Sequence, residues 1–150
     1  PWVIGFAFVL AGFGSVQART SVALHPDQYV YYNVVAGGIA GAEGRFEMDY
    51  WSNSIREAAL LLTDRLRAET GGLRPARPYK IALCSETLSF FAYVPDGWFE
   101  EAGRWQDAEF FVAPTQMGCD RRLDGEVIVL VERIGARLAV VKDRRRLLQR

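Results

Sequence analysis

The residues best suited to chemistry lie in a short acidic and aromatic stretch. Asp49 is followed directly by Tyr50 and Trp51, and Glu43 and Glu47 precede it. A glycosidase needs two carboxylates held at a defined separation across a cleft, and the spacing here defines no such pair. Two interpretations therefore stay open: the acid and its rings contact a sugar, or Asp49 braces the loop before a helix while Trp51 docks into the core. We prefer the second.

His25, the single histidine, titrates near neutrality and is a conceivable general base. No serine or cysteine nucleophile motif accompanies it, so an interfacial or hydrogen-bonding role is the better interpretation. One histidine and two cysteines also cannot form an ordinary Cys/His zinc site without carboxylates. We therefore predict neither a metal nor any other cofactor within these 150 residues.

The two cysteines, Cys84 and Cys119, each follow a predicted strand. If those strands are parallel neighbours, both cysteines lie near the same edge of a sheet. A disulfide between them is then favoured outside the cytoplasm. Two unpaired thiols, one of them buried, are the equal alternative.

The composition limits the class of protein. Half of the 150 residues are apolar, and 18 basic side chains balance 18 acidic ones, so the chain lacks the basic excess typical of nucleic-acid binders. The charge is unevenly distributed: residues 1–18 carry none, whereas residues 142–150 are strongly basic. Arg144–Arg146 and Arg150 could contact anionic lipid, although a solvated tail is the more common outcome.

Residues 1–18 are long and apolar enough to be a membrane-spanning segment. We prefer the end of a transmembrane helix. Two alternatives remain: a signal peptide, because Val16–Ala18 resembles a small-x-small cleavage site, or a buried helix or strand of a soluble protein. Because the chain begins at Pro1 inside this apolar run, we expect it to be part of a longer protein.

The remaining pattern predicts a small mixed α/β sheet. The clearest helix covers residues 54–70, where Ser54 and Glu57 have the spacing of a capping box and one face is apolar. A second helix is predicted from Ser85 to about Tyr93, and residues 98–105 are assigned to a turn or loop. Strands are predicted at residues 79–84, 108–113, 126–132 and 137–142, the last two forming an antiparallel hairpin through Gly135 at one edge of the sheet.

Residues 25–57 resemble the region after the last membrane helix of bacterial multi-span glycosyltransferases, namely the protein-O-mannosyltransferase and aminoarabinose-transferase relatives of family 39 (RgtA/B/C/D-like, of the GT-C type). The matching motifs are His25-Pro26, Tyr29–Asn33, Gly37-Gly38, Gly44–Glu47 and Asp49–Trp51. The last motif, followed by an amphipathic helix, is the most specific. Two positions, Asp27 and Ser52, depart from the family pattern.

The resemblance implies a transferase that takes a sugar from a polyprenyl-phosphate donor on the extracytoplasmic side of the membrane, with a divalent metal in some members. The catalytic carboxylate of the family lies in an earlier loop, so no catalytic residue carries over to this chain. The implied organisation is the end of a transmembrane helix (1–18), a juxtamembrane Tyr/Gly-rich loop region (19–53) and a periplasmic, extracytoplasmic α/β domain (54–150).

The expected partners are membrane lipid and, in the full-length protein, the polyprenyl-phosphate sugar. The alternative function is a membrane-tethered or secreted binding module without enzymatic activity. The residues expected nearest to sugar or lipid are Tyr29, Tyr32, Asn33, Asp49, Tyr50 and Trp51.

Overall fold

A computed structural model describes residues 2–149. Helix α1 spans Trp2–Ala23, and α2 is a short helix at Gly38–Ala42. A five-stranded mixed sheet follows, with the long helix α3 (Ser54–Thr70) packed on one face. The protein is therefore an N-terminal apolar helix joined to an α/β domain, as the sequence predicts.

Helix α1 has no buried residue along its 22 positions. At 1.5 Å per residue it is about 33 Å long, close to the hydrocarbon thickness of a bilayer. The helix continues to Ala23, five residues beyond the uncharged run that ends at Ala18, and so includes Arg19. It is the one helix in the described chain that is long and apolar enough to cross a membrane. The alternative in which residues 1–18 form a buried helix or strand is wrong for this structure.

Helix α3 begins and ends where the sequence predicts. Its apolar face is fully buried against the sheet. It ends because Gly71 adopts a left-handed conformation, with φ of 63°, and donates its backbone N–H to the carbonyl of Arg67. The buried residues of that face are Ile55, Ala58, Ala59, Leu62 and Leu66.

The sheet has the strand order β2-β1-β3-β5-β4. Strand β1 pairs in parallel with both β2 and β3, whereas β5 pairs antiparallel with β3 and β4. The predicted hairpin at one edge of the sheet is confirmed, with Ile134 and Gly135 at φ of 48° and 76° in its turn. The strands are β1 (Tyr79–Leu83), β2 (Phe99–Glu101), β3 (Phe110–Pro114), β4 (Glu126–Arg133) and β5 (Ala136–Asp143).

Two local predictions differ from the structure. The sequence predicts a turn or loop at residues 98–105, but the structure has the edge strand β2 there, in which only Phe99 is buried. The second predicted helix is present but shorter than expected, because α4 is a single turn at Leu88–Phe91. The backbone amides of Leu88 and Ser89 donate to the carboxylate of Glu86, at 2.9 and 3.0 Å.

The segment between α1 and α3 packs into the same core as the α/β domain. Five of its side chains are buried in the cluster that contains the apolar face of α3. Residues 24–53, which make up most of the predicted juxtamembrane loop region, are therefore a folded part of the domain. The five are Leu24, Val30, Ile39, Ala42 and Met48.

The basic run at the end of the chain is not a solvated tail, because two of its arginines contact the domain. Those two arginines are also not available to contact lipid. Arg144 is buried and donates to the carbonyls of Ala108 and Asp124 at 2.8 and 3.0 Å. Arg145 lies over the ring of Phe110 and pairs with two acids. Of the predicted lipid-facing arginines that the structure describes, only Arg146 remains largely exposed.

Candidate functional site

Asp49 is a buried carboxylate at the start of α3. The residue is 1% exposed and adopts a left-handed backbone conformation with φ of 48°. Its Oδ1 accepts the backbone N–H of Asn53 at 3.0 Å, and its Oδ2 accepts the backbone N–H of Ser54 at 3.3 Å. The hydroxyls of Ser54 and Tyr29 also donate to this carboxylate. Burial raises the pKa of Asp49 to about 6.

These contacts make Asp49 the group that caps α3. The predicted capping box is wrong, because the Ser54 hydroxyl donates to Asp49 and does not accept a backbone amide of the helix. Its second member, Glu57, pairs with Arg133 at the end of β4 instead. The preferred interpretation of Asp49 as a structural brace agrees with this geometry.

Arg133 also forms an ion pair with a second buried acid, Asp27. Nη2 of Arg133 lies 2.9 Å from Oδ2 of Asp27, and Asp27 is only 1% exposed. Burial is the largest influence on the pKa of Asp27 and raises it, while the Arg133 charge opposes that rise. The Arg133 guanidinium therefore joins three elements: the segment after α1, helix α3 through Glu57, and the end of β4.

The neighbouring aromatic residues face outward. Tyr50 and Trp51 are 63% and 71% exposed, and their rings meet edge to face with centroids 5.1 Å apart. The expectation that Trp51 docks into the core is wrong, because its side chain is mostly exposed. Asp49 alone turns its side chain inward to cap α3, and this leaves Trp51 on the surface. Trp51 instead borders a shallow groove of about 460 Å³ that Arg56 and Tyr93 also line.

The other sequence-predicted residues have separate roles. Tyr32 donates its hydroxyl to the carbonyl of Glu47 at 2.7 Å and stacks on Phe46. Asn33 accepts the backbone amides of Val35 and Ala36 at 3.0 and 3.2 Å and so caps a short 3-10 turn. The six predicted sugar- or lipid-proximal residues therefore do not form one site: Tyr29 joins Asp49, while Tyr50 and Trp51 form an outer surface.

The 3-10 turn that Asn33 caps lies beside α1. The side chain of Gln17 donates to the hydroxyl of Tyr31 at 3.3 Å, and an apolar groove of about 540 Å³ separates the turn from Phe13. Val34 and Val35, at the outer side of the turn, are 89% and 90% exposed. Sequence reasoning included Val34 and Val35 in no functional group, because only the fold brings them beside the helix.

Cys84 and Cys119 form a disulfide, with their Cα atoms 5.8 Å apart. Strands β1 and β3 are parallel neighbours, so both cysteines come to the same edge of the sheet, as the sequence argument requires. Within residues 2–149 no group of three or more His, Cys, Asp or Glu side chains could hold a metal ion.

A polar groove of about 700 Å³ lies beside the carboxyl end of β3 and the start of β5, and sequence reasoning missed it. One wall comes from residues 43–48 and the other from the loop at 115–121. Two acids of the first wall make contacts across the groove: Glu47 accepts the backbone amide of Met117 in the second wall at 3.1 Å, and Glu43 accepts Nε–H of Arg137, in β5, at 2.6 Å. No local motif signals this site, because its walls are about 70 residues apart in the chain.

Comparison of the chain with protein-family models, with curated proteins and with solved structures finds no match.

Proposed function

We propose that this chain is the membrane-exit helix and extracytoplasmic α/β domain of an integral-membrane glycosyltransferase that uses a polyprenyl-phosphate-linked sugar. In this proposal the chain is not catalytic and supports the active-site face of the longer protein. The observation that carries the membrane part is the exposure of α1, whose apolar side chains have no protein cover. The transferase part is supported by the motif resemblance in residues 25–57.

The position of the 3-10 turn at Val34–Ala36 supports membrane contact by this turn as well as by α1. The turn lies beside Gly12–Gln17 of α1, which is six to eleven residues before the helix ends. At 1.5 Å per residue this places the turn about 9–16 Å back along the helix axis. If α1 spans the bilayer, Val34 and Val35 therefore lie at or within the membrane boundary, where exposed apolar side chains are favourable.

The disulfide supports the extracytoplasmic side, because disulfides persist in oxidising compartments and are rare in the cytosol. Periplasmic placement also agrees with the resemblance, because the transferases of that family use their donor sugar on the extracytoplasmic side of the membrane. Membrane lipid and the polyprenyl-phosphate sugar are the partners that follow from this proposal. A divalent metal, where one is used, belongs to the upstream part of the longer protein.

Topology is tested by fusing alkaline phosphatase after residue 149 and expressing the fusion in a bacterium. We expect enzyme activity in the membrane fraction that resists carbonate extraction. A matched fusion carrying Phe8→Arg and Phe13→Arg, which place two charges in the middle of α1, should lose membrane retention. An inactive phosphatase in the membrane fraction would place the domain in the cytoplasm, and a carbonate-soluble active one would indicate a secreted protein.

The transferase role is tested in the longer protein by deleting residues 73–150 and measuring sugar transfer from a polyprenyl-phosphate donor. We expect reduced transfer with normal membrane insertion, and no transfer by residues 1–150 alone. Unchanged turnover after the deletion would refute a supporting role.

The second candidate function is a membrane-tethered binding module without an enzyme. The observation that favours it is the arrangement of one exposed apolar helix and one folded domain. The upstream gene sequence separates the two candidates: further apolar spans with acidic residues in the first outside loop indicate the transferase, whereas a basic start alone indicates the module.

A further inference from the structure

Four large apolar or aromatic side chains form one exposed patch beside the end of α1. Tyr50 and Trp51 meet edge to face, and Trp51 borders the shallow groove that Leu88 and Tyr93 also line. Leu88 is 74% exposed and Tyr93 is 44% exposed. Single exposed apolar side chains are common on protein surfaces, but a contiguous group of large ones is typical of a contact site for protein or membrane. We call these four residues the Trp51 patch.

The Trp51 patch lies at the level of the end of α1. Pro26, three residues after that helix ends, lines the same groove as Trp51. The chain turns as soon as α1 ends, because the backbone amide of His25 donates to the carbonyl of Val22 at 3.1 Å. Pro26 therefore stays close to the last turn of the helix, and the groove that it lines does so too.

If α1 spans the bilayer, this level belongs to the lipid headgroups. Arg19 is the one charged residue of α1, and Ala23 lies about 6 Å further along the helix axis. The headgroup region on each side of the hydrocarbon core is about 5–8 Å thick. A hydrocarbon boundary near Arg19 therefore places Pro26 and the Trp51 patch among the headgroups. Tryptophan and tyrosine are enriched at this depth, because their rings are apolar and carry one polar group.

The groove also contains a cation without an acidic partner. The Arg56 guanidinium lies over the ring of Tyr93, 5.1 Å from its centroid, and within residues 2–149 it forms no ion pair. Among the described residues that line the groove, the one acid is Glu86. Its carboxylate accepts the backbone amides of Leu88 and Ser89, so its charge is partly satisfied within the protein. An unpaired guanidinium at headgroup level is suited to donate to a phosphate.

We propose that the Trp51 patch docks on the phospholipid headgroup layer, on the side of the membrane where α1 ends. In this arrangement Trp51 and Leu88 insert among the lipids, and Arg56 donates to a lipid phosphate. The domain is then attached to the membrane at the end of α1 and again at the patch, which fixes its orientation relative to the bilayer. This inference rests on the proposed transmembrane position of α1 and does not depend on any transferase activity.

The test uses the whole 150-residue chain, labelled with ¹⁵N, in nanodiscs of phosphatidylcholine and phosphatidylglycerol. A small fraction of the lipid carries a nitroxide just below the headgroup, which speeds the relaxation of amide signals close to it. Trp105 is the distant reference, because it contacts Arg144 beyond the end of β5 and so lies about 20 Å from Arg133 along the hairpin. We expect the enhancement at the groove residues Ser89 and Ala92 to exceed that at Trp105 by about tenfold or more.

The double variant Trp51→Ser/Leu88→Ser removes the two side chains that insert, and it should lower the enhancement at Ala92 by about threefold or more. Leu73→Ser is the matched control, because Leu73 is also 74% exposed but lies beyond the far end of α3. It should leave the enhancement unchanged. Arg56→Gln should lower the enhancement by about twofold. All four of these side chains are exposed, so the changes leave the core intact.

The amides of α1 report separately on the helix. Strong enhancement at residues 13–16 without enhancement at Ser89 and Ala92 would overturn the docking surface and leave the transmembrane helix standing. Enhancement that Trp51→Ser/Leu88→Ser does not lower would overturn the docking surface as well, and enhancement that Arg56→Gln does not lower would overturn the phosphate contact. No enhancement at either place would overturn this inference together with the proposed membrane position of α1.

Discussion

Nη2 of Arg133 lies 2.9 Å from Oδ2 of Asp27, and this ion pair joins the segment after α1 to the last residue of β4. Asp27 is almost completely buried and Arg133 nearly so. The same guanidinium pairs with Glu57 of α3. One side chain therefore links three regions that are distant in sequence.

Arg133→Met should lower the free energy of unfolding by about 3–5 kcal/mol, because it leaves the Asp27 charge buried without its partner. The measurement is urea unfolding in micelles at pH 7. Arg65→Met, at an exposed pair within α3, is the control and should change stability by less than about 1 kcal/mol.

The double variant Asp27→Asn/Arg133→Met should recover part of that loss, because no buried charge then remains. Equal instability of the single and double variants would show that the ion pair is not the cause.

Asp49 should make stability fall as the pH rises through the range from about 4 to 6. Its pKa is raised from 3.8 to about 6 in the folded protein, so the folded state holds a proton that the unfolded state has released. The contribution is fully present below pH 4, is lost as the pH passes 6, and has a magnitude of about 3 kcal/mol.

The measurement is the difference in unfolding free energy between the native chain and Asp49→Asn across pH 4 to 7.5. Other carboxylates titrate in both proteins and cancel in this difference. A difference that stays constant with pH would contradict the raised pKa.

Arg144→Met should lower the free energy of unfolding by about 2–4 kcal/mol. The buried guanidinium donates to four backbone carbonyls, and its removal leaves several of them without a donor. Arg146→Met, two residues away and largely exposed, is the matched control and should cost less than about 0.5 kcal/mol. Equal effects at the two positions would mean that charge alone, and not the buried contacts, matters. Thermal unfolding followed by circular dichroism is sufficient to separate them.

Replacing both cysteines by serine should lower the free energy of unfolding by about 3–4 kcal/mol. The bond between Cys84 and Cys119 closes a loop over a sequence separation of 35, and a loop of that size carries a stabilisation of this order in the chain-entropy model. The check is the urea midpoint of the native chain with and without reductant, compared with the double serine variant. Reductant should shift only the native chain.

The parts of the fold that sequence predicts well are those with a local cause. The limits of α3 follow from its apolar spacing and from Gly71, and the hairpin follows from the short link that contains Gly135. The parallel pairing of β1 and β3 then brings Cys84 and Cys119 together. Each of these features is determined by residues close in sequence or by a general rule of sheet topology.

The features that sequence reasoning missed depend on distant contacts. Ser54 and Glu57 have the right spacing for a capping box. In the structure Ser54 donates to Asp49 and Glu57 pairs with Arg133 instead. Strand β2 carries acids at two of its three positions because it lies at the edge of the sheet.

In the sequence, Arg144 is one residue of a basic run. In the fold it is buried against the loop at 105–108, whose carbonyls accept its hydrogen bonds. The groove between residues 43–48 and the loop at 115–121 needs both of its walls, and neither wall alone has a recognisable sequence pattern. The position of Arg144 and the shape of the groove both depend on packing between residues that are far apart in the chain, and a single sequence does not show such contacts.

The disulfide also determines how the domain responds to a protease. The segment from residue 85 to residue 118 forms a closed covalent ring with the bond between Cys84 and Cys119. One cut inside that ring leaves the two pieces attached, so the nicked chain migrates as one species on a gel without reductant and as two with it. A cut elsewhere in the chain releases a fragment under both conditions.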